Sequence, residues 1–285
     1  SKKFTFKKID LKNFSKVYDF VKKKKIDFII HLAAQPGVRV SLKKPFNTLN
    51  QNLISFNNVL EVARLKKVKK FIYASSSSVY GDSKVYPFNE EDHENVPVSV
   101  YGATKVSNEI IAQSYSRNFK MKCIGLRFFT VYGPYGRPDM AYFSFLENLK
   151  NNKKISVFNK GLMKRDFTYI DDVIEIIMRL IDKPAQINKD FNRSLPEPNT
   201  SWAPHKIYNI GNSNPISIID FINALETEFK IKAKKILQPM QPGDVQFTYA
   251  DTSLIEKLTS FKPNTSISKG VKKFVNWYKE YYEIN

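Results

Sequence analysis

The sequence predicts an α/β protein organised around a doubly wound parallel sheet, with a smaller and less regular α/β portion attached. Three observations carry this. Short apolar runs of strand length end in small or polar residues, helically spaced apolar stretches separate them, and three run ends carry unusual chemistry: Ala33-Ala-Gln, Ser75-Ser-Ser-Ser and Thr130-Val-Tyr-Gly-Pro. Strands separated by helices imply βαβ units, whose ligands bind beyond the carboxyl ends of the strands. The predicted layout is a sheet domain over residues 1–133, with returns near 166–184 and 205–211, and a second domain over 134–165 and 212–285. With 285 residues, 42% of them hydrophobic and 14% aromatic, the chain has the apolar material for such a core and is not disordered.

In chain order, Ser1-Lys-Lys-Phe-Thr-Phe reads as a strand. Ile26-Asp-Phe-Ile-Ile-His-Leu-Ala-Ala is an apolar run entering a loop through small residues, the form of a parallel strand. Phe46 to Leu65 carries Leu49, Leu53, Phe56, Leu60 and Ala63 at helical spacing. Lys70-Phe-Ile-Tyr-Ala-Ser and Cys123-Ile-Gly-Leu-Arg-Phe-Phe read as strands flanking a helix from Val100 to Phe119. Gly133 to Arg165 holds a Gly/Pro turn, a helix near Ala141–Asn151 and a strand Ile155–Phe158. A helix over Asp171–Asp182 follows, its first turn bearing two carboxylates that suit the helix dipole. Lys183 to Lys206 is a polar, proline-containing loop longer than ordinary connections and able to cover a site. Strand Ile207–Ile210, helix Ser217–Phe229 and a helix near Ser268–Tyr282 complete the reading.

A dinucleotide-binding sheet begins with a strand, a glycine-rich turn and a helix whose N-terminus holds the pyrophosphate. Gly37 is the only glycine before Gly81, so that fingerprint is missing. The expectation is that a first βαβ portion lies outside the sequence given.

The net charge is +19, from 46 Lys and Arg against 27 Asp and Glu. A nucleic-acid partner is one reading of that excess. Only 8 of the 46 are Arg, the Lys is spread along the chain, and Lys22–Lys25 and Lys66, Lys67, Lys69, Lys70 fall at predicted helix ends. A lysine-rich solvated surface is therefore expected, with no nucleic-acid partner. No apolar run reaches the roughly 18–20 residues needed to span a bilayer, no membrane partner is expected, and a cytoplasmic location is the default. The single Cys123 excludes an internal disulfide and a cysteine-based metal site, and it reads as a small buried residue. His31 reads as a core histidine; His93 and His205 fall in polar loops without metal spacing, so no metal is expected.

The sharpest chemistry is Tyr101-Gly-Ala-Thr-Lys105, with serines 25 residues upstream. Tyr and Lys at i and i+4 share a helix face. A phenol with a reference pKa of about 10 is a poor base at neutral pH, and an adjacent ammonium favours its phenolate. Tyr101 could then take and return a proton on a hydroxyl held by a serine. The bland reading is an amphipathic helix, since YxxxK recurs by chance.

Tyr101–Lys105 after Ser75-Ser-Ser-Ser-Val-Tyr-Gly81 resembles the extended short-chain dehydrogenase/reductase family, in particular its nucleotide-sugar epimerases. Leu126-Arg-Phe-Phe-Thr-Val-Tyr-Gly-Pro-Tyr-Gly-Arg-Pro-Asp-Met-Ala141 is similar to the UDP-glucuronate 4-epimerases among them, as are Arg165-Asp-Phe-Thr-Tyr-Ile-Asp-Asp172, Tyr208-Asn-Ile-Gly-Asn-Ser213 and Met240-Gln-Pro-Gly-Asp-Val245. The resemblance runs from about Asp10 to the C-terminus. It implies a Rossmann-type domain holding NAD, a smaller C-terminal domain binding a UDP-sugar, a role in polysaccharide biosynthesis, and a homodimer formed through helices 46–65 and 100–119.

Carried over by matching motif, Tyr101 would be the catalytic acid/base, Lys105 would hold the nicotinamide ribose, and Ser76 would share the proton path, with Ser78 close to the substrate. The resemblance places Asp10 and Leu11 at the adenine. Ala33, Ala34, Gln35, Asn52, Ala74 and Phe129 would lie along the cofactor. Thr130 would contact the sugar, Val157 and Phe158 the uracil, and Arg165, Gln241 and Asp244 the diphosphate and uridine ribose. Departures are Tyr135 where a Trp is usual, Pro36 after Ala-Ala-Gln, and Ser55 in place of a Gly.

Related dehydratases and decarboxylases place an acidic residue within the serine-rich stretch, whereas Ala74-Ser-Ser-Ser-Ser-Val-Tyr offers hydroxyls only, which favours simple epimerisation. Arg137 argues for an acidic sugar. A C4-oxidised glucuronate is a β-keto acid that loses CO2 when its carboxylate twists freely, and a guanidinium fork fixes that carboxylate. The other reading has Arg137 capping the Gly-Pro turn or pairing with Asp139. The expected reaction is NAD-dependent C4 epimerisation of UDP-glucuronate to UDP-galacturonate. Its rivals are a neutral UDP-hexose 4-epimerase and a non-catalytic binding protein of the same fold.

Overall fold

The computed structural model describes residues 4–92 and 96–284, so His93 lies outside the described residues. Short elements open the chain: helix α1 (Phe14–Val21), capped by the Asn13 side chain, strand β1 (Phe28–His31) and helices α2 (Val38–Lys43) and α3 (Pro45–Leu49). A π turn over Asn50–Ile54 joins α3 to α4 (Ser55–Leu65). The stretch predicted as one helix over Phe46–Leu65 is therefore interrupted, with the buried Asn52 inside the interruption. Strand β2 (Lys70–Ser76), a 3-10 turn (Ser77–Tyr80), helix α5 (Val100–Phe119) and strand β3 (Cys123–Phe128) follow. Then come β4 (Thr130–Tyr132), α6 (Ala141–Lys150), β5 (Lys154–Val157), β6 (Lys164–Tyr169) and α7 (Ile170–Asp182). The last elements are β7 (His205–Ile210), β8 (Pro215–Ser217), α8 (Ile218–Phe229), β9 (Lys234–Leu237), α9 (Ser253–Thr259) and α10 (Ile267–Tyr281).

The principal sheet has the order β1-β2-β3-β7, with β1 parallel to β2 in the register Phe28 with Lys70 through His31 with Tyr73. A three-stranded sheet has the order β4-β6-β8, and β5 pairs in parallel with β9. The chain divides into two compact units. The first comprises Ser1–Ser83, Glu90–Arg127 and Pro184–Tyr208; the second comprises Lys84–Asn89, Phe128–Lys183 and Asn209–Asn285. Relative to the predicted layout, this division places 84–89, 128–133, 166–183 and 209–211 in the second unit. For 128–133 and 166–183 the reason is strand pairing: β6 joins β4 and β8 rather than the principal sheet, and α7 follows it directly.

In the first unit, Phe56, Leu60, Phe71, Tyr73 and Ala112 pack one core between α4, β2 and α5. In the second, Tyr132, Phe167, Phe221 and Phe274 anchor a larger aromatic core, Phe167 and Phe221 having ring centroids 4.5 Å apart. Each such aromatic removes a large apolar area from water. Two sequence expectations fail here. The opening run forms no strand over 4–9: Phe4 and Phe6 are 75% and 78% exposed, and no described strand pairs with them. His205 is not in a polar loop. It starts β7, is fully buried, and shares a 3.0 Å hydrogen bond with the Tyr73 hydroxyl. Burial drives its pKa down to about 3. Lys22 and Lys66 do sit at the C-caps of α1 and α4. No described helix is long and apolar enough to cross a membrane.

Candidate active site

Helix α5 starts where Ser99 accepts a hydrogen bond from the Gly102 amide, a serine N-cap that sets the first turn. That turn carries Tyr101, half-buried, and one turn on Lys105 is buried. The Lys105 Nζ donates to the Ala74 carbonyl at 2.8 Å and lies 5.8 Å from the centre of the Tyr101 ring. Desolvation lowers the Lys105 pKa to about 8, against the opposing pull of Glu109. Beyond Ala74, Ser76 caps the 3-10 turn: its Oγ accepts from the Ser78 amide at 3.2 Å and donates to the Ser78 Oγ at 3.2 Å. Gly102 makes the contact between α5 and this turn possible, because a Cβ there would stand 2.6 Å from the Ser78 carbonyl oxygen. Tyr101, Lys105, Ala74, Ser76 and Ser78 are thus gathered at one strand end.

Asn52 is spent internally. Its Oδ1 accepts from the Gln35 amide at 2.7 Å, and its Nδ2 donates to the Gln35 carbonyl at 3.2 Å and to Thr104 Oγ1 at 3.0 Å. Thr104 in turn donates to the Tyr101 carbonyl. Asn52 therefore fixes the Ala33-Ala34-Gln35 loop against the Tyr101 helix. Asp10 caps its own turn, accepting from the Lys12 amide, and borders an open hollow with Lys7, Lys8 and Asn13. Leu11 packs beside the first unit's core. His31 is buried against Phe56 and Phe71, and burial takes its pKa down to about 4, so it is a neutral core residue. Cys123 is buried and its thiol is pushed up to about 12.

The remaining predicted residues belong to the second unit. Phe129 is buried, its amide bonded to the Ile210 carbonyl; Thr130 opens β4. Val157 ends β5 and Phe158 precedes a short turn. The Arg165 guanidinium donates to the Lys164 and Gln246 carbonyls. The Asp244 amide donates to the Gln241 carbonyl at 3.2 Å, closing a turn. Arg137 grips Asp139 with both arms of its fork, at 3.0 and 2.5 Å, as the second sequence reading expected.

A family model described as the NAD dependent epimerase/dehydratase family matches residues 1–211. The chain belongs to that family. It is an NAD-dependent epimerase, an isomerase, of extended short-chain dehydrogenase/reductase type. This epimerase is 45% identical over 280 residues to Protein CapI of Staphylococcus aureus, covering 98% of this chain and 84% of that protein. It is 42% identical over 260 residues to a Rhizobium meliloti protein named "Probable UDP-glucuronate 4-epimerase", covering 90% of this chain and 75% of the relative. Its fold matches the crystal structure of a Bacillus cereus UDP-glucuronic acid 4-epimerase in complex with UDP-glucuronic acid and NAD, with TM-score 0.84 and 33% identity over 99% of this chain and 83% of that one.

The donor set of the epimerase fits the ribose end of NAD: a buried ammonium on Lys105 and a half-buried phenol on Tyr101 one helical turn away. No group of three metal-ligating side chains occurs among the described residues.

Sequence reasoning missed Glu109 and Arg127. Arg127 Nε and Nη2 donate to Glu109 Oε1 and Oε2 at 3.0 and 2.9 Å, and Ser75 Oγ donates to Oε1 at 2.5 Å. The available signal was an arginine in the middle of the apolar run Cys123–Phe129. Asp166 was missed as well: buried, it accepts from the amides of Asn212, Ser213 and Ala250 at 2.7, 3.1 and 3.0 Å.

Proposed function

We propose that this epimerase inverts C4 of a UDP-uronic acid, interconverting UDP-glucuronate and UDP-galacturonate. The observation that carries the chemistry is the buried, carbonyl-anchored Lys105 one turn from Tyr101. Support for the nucleotide-sugar class comes from the relatives named or solved as UDP-glucuronate 4-epimerases.

In this reading, the Tyr101 phenolate accepts the proton of the sugar O4 hydroxyl, and the Lys105 ammonium stabilises that phenolate. Ser76 Oγ holds the same oxygen by a hydrogen bond, fixing it within reach of Tyr101. NAD, when bound, would supply the acceptor for the C4 hydride and the source of its return to the opposite face of the sugar. Tyr101 then gives the proton back to O4, so no net redox change accumulates. Asp10, Leu11, Ala33, Ala34, Gln35, Asn52, Ala74 and Phe129 are proposed to line the cofactor. Asn52 would act by shaping the loop, since its amide is already bonded. Ser78, Thr130, Val157, Phe158, Arg165, Gln241 and Asp244 are proposed to bind the UDP-sugar. The first unit is accordingly read as the NAD-binding part and the second as the UDP-sugar part.

Arg137 is proposed to hold the uronate carboxylate bidentately. Its engagement by Asp139 favours a second reading, a neutral UDP-hexose substrate. A homodimer is proposed through α3, α4 and α5, supported by the exposed Phe46, Leu49, Ile54, Ile110 and Phe119.

One assay tests the proposal. The protein is supplied with NAD and UDP-glucuronate without reductant, and sugar nucleotides are separated by anion exchange. UDP-galacturonate is expected. Unchanged UDP-glucuronate refutes the proposal, and turnover of UDP-glucose in its place selects the second reading.

A further inference from the structure

Tyr101, Lys105 and Glu109 follow one another at four-residue spacing on α5, so they share a face over three helical turns. The first two carry the proton chemistry of the function proposed above. The third carries a buried negative charge, its side chain only 6% exposed, paired with an Arg127 side chain that is 0% exposed. Isolated charges are expensive to bury, and a buried pair is often no more stable than apolar residues of the same volume. Stability alone therefore does not account for the pair's position.

The pair's contacts supply that account. Glu109 Oε1 accepts from Ser75 Oγ at 2.5 Å, while Lys105, one turn earlier, donates to the Ala74 carbonyl at 2.8 Å. Two successive turns of α5 thus grip two successive residues of β2, immediately before Ser76. The Arg127 guanidinium also lies 4.8 Å from the centre of the Tyr80 ring, which ends the turn that Ser76 begins. The pair therefore reaches both ends of the serine-rich segment. The polar groups acting on Glu109 come from each element packed around it: Ser75 and Tyr73 of β2, Arg127 of β3 and Lys105 of α5, with Tyr80 of the turn contacting Arg127.

We propose that the Glu109–Arg127 pair is a positioning device for proton transfer, clamping Ser75, and so the following Ser76, in register with the helix turns that bear Tyr101 and Lys105. It acts through those residues and touches no reacting atom. This rests on the proposed epimerisation, because Ser76 and Tyr101 matter only if O4 is where they meet the substrate. A displacement of about 1 Å at such a site costs on the order of 10²-fold in turnover.

The test uses the full chain with NAD. Glu109→Gln and Arg127→Met each leave an unpaired buried group and are expected to lose stability. The double variant E109M/R127M removes the pair as a whole, including the oxygen that accepts from Ser75, and keeps the volume filled. Its unfolding midpoint is expected to recover most of the loss, while kcat stays at least roughly 10-fold below wild type and KM for the UDP-sugar stays within about 2-fold. Ser75→Ala, which removes only the hydroxyl and its charge-assisted bond to the buried Glu109, is expected to lower kcat several-fold and to lower the unfolding midpoint less than Glu109→Gln does.

A substrate-free readout accompanies these. Amide hydrogen exchange over Ser75–Ser78 is expected to speed up roughly 10-fold or more in the double variant, because the segment has lost the bond that ties it to α5. A wild-type protein inactive on UDP-sugars would sink the proposed function, and that exchange would then decide the clamp alone. The inference is overturned by a double variant with wild-type kcat or, in an inactive protein, by unchanged exchange over Ser75–Ser78.

Discussion

Replacing Lys105 by Met should make the protein more stable at neutral pH while disabling it. The ammonium is buried, and burial lowers its pKa from 10.5 to about 8. Between those values the unfolded chain binds a proton that the folded chain does not, so stability rises with pH across the window from about 8 to 10.5. Below about pH 8 both states are charged and the whole penalty is present. A gap of about 2.5 pH units at 1.36 kcal/mol each amounts to about 3 kcal/mol. Methionine avoids that penalty and forfeits the bond to the Ala74 carbonyl, worth about 1 kcal/mol. The expected net gain is about 2 kcal/mol at pH 7. It reverses to a loss of about 1 kcal/mol above pH 10.5, where the lysine is neutral in both states. Urea unfolding of both proteins, stripped of cofactor so that ligand linkage does not enter, should give stability curves that cross between about pH 8 and 10.5. A K105M protein less stable than wild type at pH 7, or two parallel curves, would refute the reasoning.

Three further outcomes are expected. Asp166→Ala strands three backbone amides and should cost about 3–5 kcal/mol by urea unfolding, with Asp166→Asn recovering part of it through its remaining carbonyl acceptor. Gly102→Ala should lower both thermal stability and kcat, because the roughly 1 kcal/mol of helix propensity gained is outweighed by a methyl 2.6 Å from the Ser78 carbonyl oxygen and 2.7 Å from the Pro97 Cβ. An unchanged melting temperature would count against that close approach. Arg137→Leu should reduce kcat/KM for UDP-glucuronate at least roughly ten-fold more than for UDP-glucose, the worth of one charge-assisted bond; equal losses would assign Arg137 to Asp139 alone.

Much of the first unit was legible because β2 and β3 are buried along nearly their whole length and its long helix is capped by a serine. The predicted helix Val100–Phe119 and strands at Lys70 and Cys123 stand within a residue or so of their observed bounds. The π turn at Asn50–Ile54 was not legible, since one inserted residue per turn leaves the apolar spacing intact on either side. Strand β5 was legible to within a residue, predicted over Ile155–Phe158 and observed over Lys154–Val157, whereas β9 is four residues long with two lysines, so its own pattern is weak and its parallel pairing with β5 supplies what alternation does not. Within the site, Tyr101, Lys105 and the serines declared themselves by motif. Glu109 and Arg127 did not, because their partnership spans 18 residues and sequence does not announce which charges fold inward.

Helix α5 shows why the last point matters. Its buried face consists of Gly102, Thr104, Lys105, Asn108, Glu109, Ala112 and Ser116, while Ile110 is 62% exposed and Phe119 50% exposed. That is the reverse of the apolar-inward stripe by which surface helices gain stability. Local rules are broken in this way mainly where function demands it. The inward lysine raises the free energy of the fold, and the inward carboxylate that partly relieves it is itself tolerable only because Arg127 meets it. The polar face thus forms a chain of dependence from Tyr101 to Lys105 to Glu109 to Arg127, in which each buried charge is justified by the next. Breaking the chain at its far end should therefore damage turnover in proportion to geometry lost, whereas removing the lysine at its centre should relax the whole helix and abolish the chemistry. The two perturbations predict opposite changes in stability with the same direction of change in activity, a combination that simple loss of packing does not produce.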